Sequence, residues 1–314
     1  MTGAGGFIGR CSLEPLCAAN HEVHAVLSKR PGTGEEVPLP DAQVHHADLL
    51  DAGEIETLIA SVRPTHLLHF AWIATPGLYW NSAENHRWLD ASRHLLQCFG
   101  ARGGVRAVMA GSCAEYDWSR VQVCNERSSP LASDSGKLMP AYTECKLAMQ
   151  RTLADAGRTQ GLSTAWGRLF FQFGPHEHPE RLVASVIIAL LSGREALCTH
   201  GGQIRSYLHV ADVGAAFAAL LHSEATGPVN VGSGEPISIA ALLERLARQI
   251  GRTDLLRLGA RAAPEGEPSL LVPDIGRLRD EVGFTPRWTL DEGLADAIGW
   301  WGRELARGPR AIGP

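Results

Sequence analysis

The sequence predicts an α/β chain: a doubly wound parallel β-sheet with helices on both faces, followed by a smaller mixed α/β lobe. Three observations predict it. Short apolar stretches of strand character alternate with helical ones through the first half of the chain. The chain opens on a glycine-spaced turn, "TGAGGFIG", with Gly3, Gly6 and Gly9 three apart. Beyond about residue 171 the alternation breaks at the Pro/His/Glu-rich stretch "GPHEHPE" (174–180).

In chain order, "EVHAVL" (22–27) is strand-like, and 52–62 has helical spacing of Ile55, Leu58 and Ile59. "THLLHFA" (65–71) is a short apolar strand, 84–101 a helix and "VRAVMAGS" (105–112) a strand. Residues 142–157 are helical and "STAWGRLFF" (163–171) is a strand again. A helix, the "GGQIRSYLHV" segment, a helix over 211–222 and "GPVNVGSG" follow. Helical patterns at 238–250 and 290–305 flank the loop-like 261–269. Right-handed crossovers between parallel strands leave this order little topological freedom.

Composition bounds the function. A chain of 314 residues suggests about two domains and buries a core without staples. With 29 basic and 34 acidic residues, net −5, no dedicated nucleic-acid or anionic-membrane surface is expected. The longest apolar run, 182–191, is too short to span a bilayer, and no secretory signal stands near the N-terminus. Seven scattered cysteines without a CxxC read as free thiols in a reducing cytoplasm. Thirteen histidines include His45-His46 and His176-x-His178, but no Cys or carboxylate joins them at metal spacing, so no metal site is expected.

The glycine turn carries chemistry. Gly3 allows a tight turn, Gly6 allows backbone to approach a pyrophosphate, and Gly9 allows close helix–strand packing. The phosphates of a dinucleotide would sit over the helix N-terminus, where free N–H groups favour anions. The reading is therefore a Rossmann-type dinucleotide-binding domain over 1–170, with part of 205–230 returning to it. Residues 171–314 form mainly the substrate lobe. Only Met1 and Thr2 precede the turn where a strand is required. A GTG valine codon misread as the start would explain this, and places the native N-terminus upstream.

The 22–27 strand runs into Ser28-Lys29-Arg30, with no carboxylate to hold a ribose 2′-OH. A hydroxyl and two cations suit a 2′-phosphate, which favours NADP over NAD. Asp48, closing the next strand, could accept from the adenine amino group. Tyr142 and Lys146 lie four apart on one helix face. A free phenol titrates near ~10, and a neighbouring ammonium lowers it. A shift of about three units requires roughly 4 kcal/mol. Ser112, at the end of the 105–112 strand, would present a hydroxyl at the sheet's C-terminal edge, where such sheets bind ligands. Tyr79, Trp72 and Trp80 flank the expected pocket.

Together these motifs resemble the extended short-chain dehydrogenase/reductase family, the NAD(P)-dependent epimerase/dehydratase group acting on nucleotide sugars. The resemblance rests on Thr2–Gly9, Asp48-Leu49, "HFAW" (69–72), "GSCAEY" (111–116), Y-x-x-x-K (142–146), "GRLFFQFGP" (167–175) and "RSYLHVADV" (205–213). It implies Ser112, Tyr142 and Lys146 as catalytic residues. It implies cofactor contacts at Gly3, Gly6, Phe7, Ile8, Gly9, Ser28, Lys29, Arg30, Asp48, Leu49, Phe70, Ala71, Trp72, Tyr142 and Lys146. Substrate contacts fall on Ser112, Cys113, Trp72, Phe171 and Arg205, with Arg205 at the nucleotide pyrophosphate. A homodimer through helices 84–100 and 142–157 is also implied.

Three departures narrow the activity. Phe171 stands where the family often has Asn, and Arg205-Ser206-Tyr207 where R-D-F is usual. Cys113-Ala114 replaces the acid–base pair of dehydratases, which disfavours water elimination. The expectation is an NADPH-dependent, cytoplasmic ketoreductase of deoxysugar biosynthesis, acting at C4 of a nucleotide-linked 4-keto-6-deoxy sugar. The alternatives are an NAD-dependent nucleotide-sugar 4-epimerase and a non-catalytic dinucleotide sensor.

Overall fold

The computed structural model describes residues 1–29, 42–264 and 266–308. Helix α1 (Gly9–Ala18) leaves the glycine turn and leads to the parallel pair β1 (Val23–Ser28) and β2 (Ala42–Ala47). Asp51 caps α2 (Ala52–Val62) by accepting from the Glu54 N–H, and Arg63 closes that helix in the left-handed region. Then come β3 (His66–His69), α3 (Glu84–Ala101), β4 (Arg106–Ser112), β5 (Val123–Cys124), α4 (Ala141–Gln160) and β6 (Ser163–Leu169). The strand expected across 163–171 divides at Phe170, whose N–H bonds to the Val231 carbonyl, and β7 (Phe171–Phe173) leaves the main sheet.

The second half holds α5 (Leu182–Leu191), β8 (Ala196–Leu197), β9 (Ile204–Arg205), β10 (Tyr207–His209), α6 (Val210–His222), β11 (Gly227–Val231) and β12 (Ile237–Ser238). It ends with α7 (Ile239–Ile250), β13 (Leu256–Arg257), β14 (Leu270–Pro273), α8 (Gly276–Asp280) and α9 (Leu290–Ala306).

The main sheet is parallel throughout. Strands run β11-β6-β4-β3 on one side and β1-β2 on the other. Thr2 bridges the two halves, pairing in parallel with Val26 and with His69. Its N–H donates to Leu68 and its carbonyl accepts from Phe70, while Met1 accepts from Val26. Two residues thus occupy the place of the central strand, and the glycine turn begins where it should.

One face of this sheet is covered by α1 and α6, with Leu13, Leu16, Phe217 and Leu220 buried between them and the strands. The other is covered by α2, α3 and α4 through Ile55, Leu95, Phe99, Met149 and Leu153. Burial of such side chains stabilises by about 1.5–3 kcal/mol each. Arg106, at the start of β4, donates to the carbonyls of Leu220, Leu221 and Ala225. It satisfies the C-terminal end of α6 and ties this late segment onto the main sheet.

A second core, with Ile187, Leu242, Leu243 and Trp301, joins α5, α7 and α9. Beside it lies the mixed sheet β12-β9-β14-β5. Among the described residues no helix is long and apolar enough to cross a membrane.

Candidate active site

β4 ends at Ser112, and the chain turns at once into a short 3-10 turn, Cys113–Glu115. The turn closes on itself. Ala114 N–H donates to the Ser112 hydroxyl at 3.2 Å, and Ser112 N–H donates to Glu115 Oε1 at 2.7 Å. This reciprocal arrangement is a capping box, and the S-x-x-E spacing that encodes it is readable in the sequence. Glu115 is fully buried. It also accepts from the Trp166 indole at 2.9 Å and from Arg168 Nε at 2.8 Å. Its charge is therefore consumed in fixing the end of β4.

Helix α4 brings Tyr142 and Lys146 to the same edge. Tyr142 N–H donates to the Trp80 carbonyl, and its ring meets the Tyr79 ring edge-on at 4.8 Å. The Tyr142 phenol interacts with the Ser112 side chain. The two hydroxyls expected to act together are in contact. Lys146 Nζ donates to the Ala110 carbonyl at 2.9 Å and lies 3.9 Å over the Trp72 ring. Trp72 is held in turn by its indole N–H, which donates to Asn85 Oδ1 at 2.9 Å.

The electrostatics differ from the sequence expectation. The phenol of Tyr142 is pushed up by burial, not lowered by Lys146, while its interaction with Ser112 opposes the rise. Burial lowers the Lys146 ammonium to about 7, against the pull of Glu115. Desolvation is the largest influence on both groups. Cys113 is buried with its thiol pushed up, and its carbonyl accepts from the Trp118 indole.

The glycine turn faces this edge. Gly3 adopts φ 68°, and a Cβ there would meet Ala71 N at 2.8 Å. A Cβ on Gly9 would stand 2.1 Å from Gly3 O, so only glycine lets α1 pack onto the turn. At Gly6 the added atom would meet only Gly3 O, at 3.2 Å, which leaves the outer face of the turn open. That open backbone at a helix N-terminus fits a dinucleotide pyrophosphate. Phe7 and Ile8 form the remainder of the turn, and their carbonyls accept from the Cys11 thiol and the Ser12 hydroxyl.

Other expected cofactor residues fall around it. Phe70 N–H donates to the Thr2 carbonyl, and its ring packs edge-on to Phe217. Ala71 backs Gly3, and Leu49 is buried. Asp48 Oδ1 accepts from Leu50 N–H at 3.0 Å, closing the turn after β2. Ser28 and Lys29 are exposed at the end of β1. Lys29 Nζ is engaged by Glu54 at 2.9 Å, a carboxylate on α2 that the sequence reading did not bring there. Arg30 lies outside the described residues.

On the substrate side, Arg205 is buried and pairs with Glu267 at 2.9 Å, and its guanidinium lies 5.4 Å from the Phe171 ring. A buried guanidinium is thus paired with a carboxylate at the surface, and Arg205 is not a free cation. Glu267 borders a cavity of about 730 Å³ in the smaller lobe, also lined by Ser185, Thr199, Gln203 and Arg261. Arg181 joins the site unannounced by any motif: its guanidinium lies 5.5 Å from the Tyr79 ring and donates to the Ala74 carbonyl.

Residues 1–232 match the NAD dependent epimerase/dehydratase family. Over 312 residues the chain is 25% identical to UDP-glucuronic acid decarboxylase 1 of Xenopus tropicalis, covering 97% of this chain and 72% of that protein. It is 26% identical to dTDP-4-dehydro-6-deoxy-D-allose reductase of Streptomyces bikiniensis, covering 96% of this chain and 95% of that one. The solved structure of MoeE5 in complex with UDP-glucose and NAD superposes with a TM-score of 0.79 at 26% identity, over 97% of this chain and 98% of that chain.

Proposed function

The chain belongs to the NAD dependent epimerase/dehydratase family, and from that premise we propose that it is a ketoreductase for a nucleotide-linked 4-keto-6-deoxy sugar, using NADPH. One observation carries the choice of reaction. Beyond Ser112 the chain offers Cys113 and Ala114, and the next carboxylate, Glu115, is turned down into Arg168 and Trp166. No acid–base pair for water elimination follows the active hydroxyl, which disfavours dehydration. The extended similarity to a 4-keto-6-deoxysugar reductase supports reduction.

A bound nicotinamide dinucleotide supplies the hydride. Ser112 hydrogen-bonds the substrate carbonyl oxygen, and Tyr142 gives its phenolic proton to that oxygen as it becomes an alkoxide, so the ketone ends as an alcohol. Lys146, whose ammonium lies near neutrality at about 7, offsets the charge left on the phenolate. Tyr79 and Trp80 pack against the phenol ring and limit water there. The lobe cavity beside Glu267 and Arg261 takes the nucleotide.

The NADPH preference rests on Ser28 and Lys29 at the end of β1. A second reading, an epimerase that retains NAD, is favoured by the Lys29–Glu54 pair, because Glu54 offsets the cation a 2′-phosphate would use. The cytoplasm and a homodimer through α3 and α4 complete the proposal. The test is a panel of nucleotide-linked 4-keto-6-deoxyhexoses with NADPH and with NADH, followed by nicotinamide absorbance. Turnover with NADPH that vanishes in Tyr142→Phe supports the reading. One equivalent of NAD released on denaturing fresh protein, with no turnover, overturns it in favour of the epimerase.

A further inference from the structure

One side of the cleft at Ser112 and Tyr142 is walled by rings that take no part in proton transfer. Trp80, in the loop between β3 and α3, stands edge-on to the Tyr142 ring, with centroids 5.8 Å apart. Trp80 also meets Trp118 edge-on at 5.9 Å. Trp118 follows the Cys113–Glu115 turn, and its indole N–H donates to the Cys113 carbonyl at 2.9 Å. The two indoles therefore bridge the phenol of Tyr142 to the residue beside Ser112.

The wall is fixed from behind and open in front. Trp118 and Phe171 pack against the buried cluster of Cys113, Tyr116 and Phe170. Tyr79 stacks on Trp80 at 5.0 Å. Ser112, Tyr142, Trp80 and Trp118 are each half-buried, so hydroxyls and rings border one accessible cleft. The only polar atom of Trp118 is spent on Cys113, so what this ring offers a ligand is carbon. Apolar rings around a few convergent polar groups are how small-molecule sites are built. A hexose with its C4 oxygen at Ser112 and Tyr142 carries its C3 and C5 substituents to either side of that oxygen. A hydroxyl pressed against ring carbon loses its water without gaining a partner, whereas a methyl group gains by leaving water. The side that fits the rings is therefore C5, with a C6 that bears no oxygen.

We propose that Trp118 and Trp80 form a specificity wall on which the C6 methyl group of a 6-deoxyhexose packs and which rejects a C6 hydroxyl. The proposal rests on the nucleotide-sugar reading above and adds to it the residues that select the deoxy sugar.

The experiment is a binding measurement. Calorimetry on protein saturated with reduced dinucleotide, NADPH or NADH, compares dTDP-6-deoxyglucose with dTDP-glucose, and UDP-6-deoxyglucose with UDP-glucose. None of these sugars carries a ketone, so binding is read without turnover. The readout is the ratio of affinities, 6-deoxy over 6-hydroxy. In the parent it is about ten or more, the effect of burying one unpaired hydroxyl. Trp118→Phe and Trp80→Phe keep ring carbon in place and retain the ratio within roughly threefold. Trp118→Gln and Trp80→Gln set an amide against C6 and bring the ratio to within roughly threefold of one. Both members of a pair are measured on the same protein, so a partly unfolded variant alters both alike and leaves the ratio readable. A parent ratio near one, a ratio kept in both Gln variants, or one lost in the Phe variants overturns the proposal. A parent that reduces a keto sugar in the panel above yet binds each pair equally loses the wall and keeps the reductase. One that separates the pairs without turnover keeps the wall and loses the reductase.

Discussion

Lys146 Nζ sits 3.9 Å over the ring of Trp72 and donates to the Ala110 carbonyl, and it is 5.7 Å from the centre of the Tyr142 ring. The ammonium is therefore held by an aromatic face and a backbone oxygen, not by the phenol four residues before it. A cation over a desolvated indole is stabilised by about 2 kcal/mol. Removing the ring in Trp72→Leu should lower the Lys146 ammonium further from its value of about 7. The expected outcome is an alkaline limb of kcat/KM moved down by about one pH unit, with Phe at 72 giving a smaller shift. A profile unmoved in Trp72→Leu would mean that Lys146 does not depend on the indole.

The glycine turn separates folding from binding. Gly9→Ala places a Cβ 2.1 Å from Gly3 O, against backbone that cannot yield. That variant should melt well below the parent. Gly6→Ala meets only Gly3 O at 3.2 Å and should fold. Its added methyl stands on the open face of the turn, so dinucleotide affinity should fall at least tenfold. Thermal melts with and without the dinucleotide check both. Equal behaviour of the two variants would contradict this division.

Arg205 and Glu267 form a pair with one member at 2% exposure. Breaking a buried pair by removing one partner is costly, of order 3–5 kcal/mol, because the other charge is left unpaired. The solvent access of Glu267 discounts that figure. Glu267→Ala should therefore lower the urea midpoint, and a double Arg205→Leu, Glu267→Leu variant should recover most of it. If Arg205 also holds the nucleotide diphosphate, the recovered double variant should show KM raised about tenfold or more with kcat little changed. Unchanged KM in a folded double variant would confine Arg205 to a structural role.

His69 gives the fold an acid limit. It is buried between Thr2 and Ser92, hydrogen-bonded to both, and burial lowers its imidazolium to about 3. The folded state keeps the ring neutral, whereas the unfolded chain protonates it near ~6.5. The sign follows: stability is full above about 6.5 and falls as pH drops toward the folded value. One such group contributes a slope of about 1.4 kcal/mol per pH unit in that window. His21, lowered by burial and by His222 and His66, and His66, lowered by burial, Arg106 and His222, add to the loss. Urea midpoints measured between pH 7 and pH 4.5 should fall, and less steeply in His69→Gln. A parallel slope in that variant would remove His69 from the account.

Much of the fold is legible because its signals are local. The helices at 52–62 and 84–101 follow apolar spacing that depends on residues three and four apart. The helix at 142–157 extends to Ala141–Gln160, with Pro140 before it and a left-handed Gly161 after it. The division of 163–171 into β6 and β7 was not legible, because β7 takes β10 as its partner, a strand far on in the chain. Trp72, Trp80 and Tyr79 could be singled out as residues of the site, but not their partners Asn85 and Arg181, which carry no motif.

By itself the sequence determined the parallel sheet, the glycine turn and the identity of the hydroxyl, phenol and amine at its edge. Spacing and residue type suffice for these, since each is set by near neighbours in the chain. Only the tertiary structure decided the protonation balance of Tyr142 and Lys146, and the capture of Lys29 by Glu54 and of Arg205 by Glu267. Each of these depends on how much water is excluded and on which distant charge fills the space, and both are properties of packing between segments far apart in the chain.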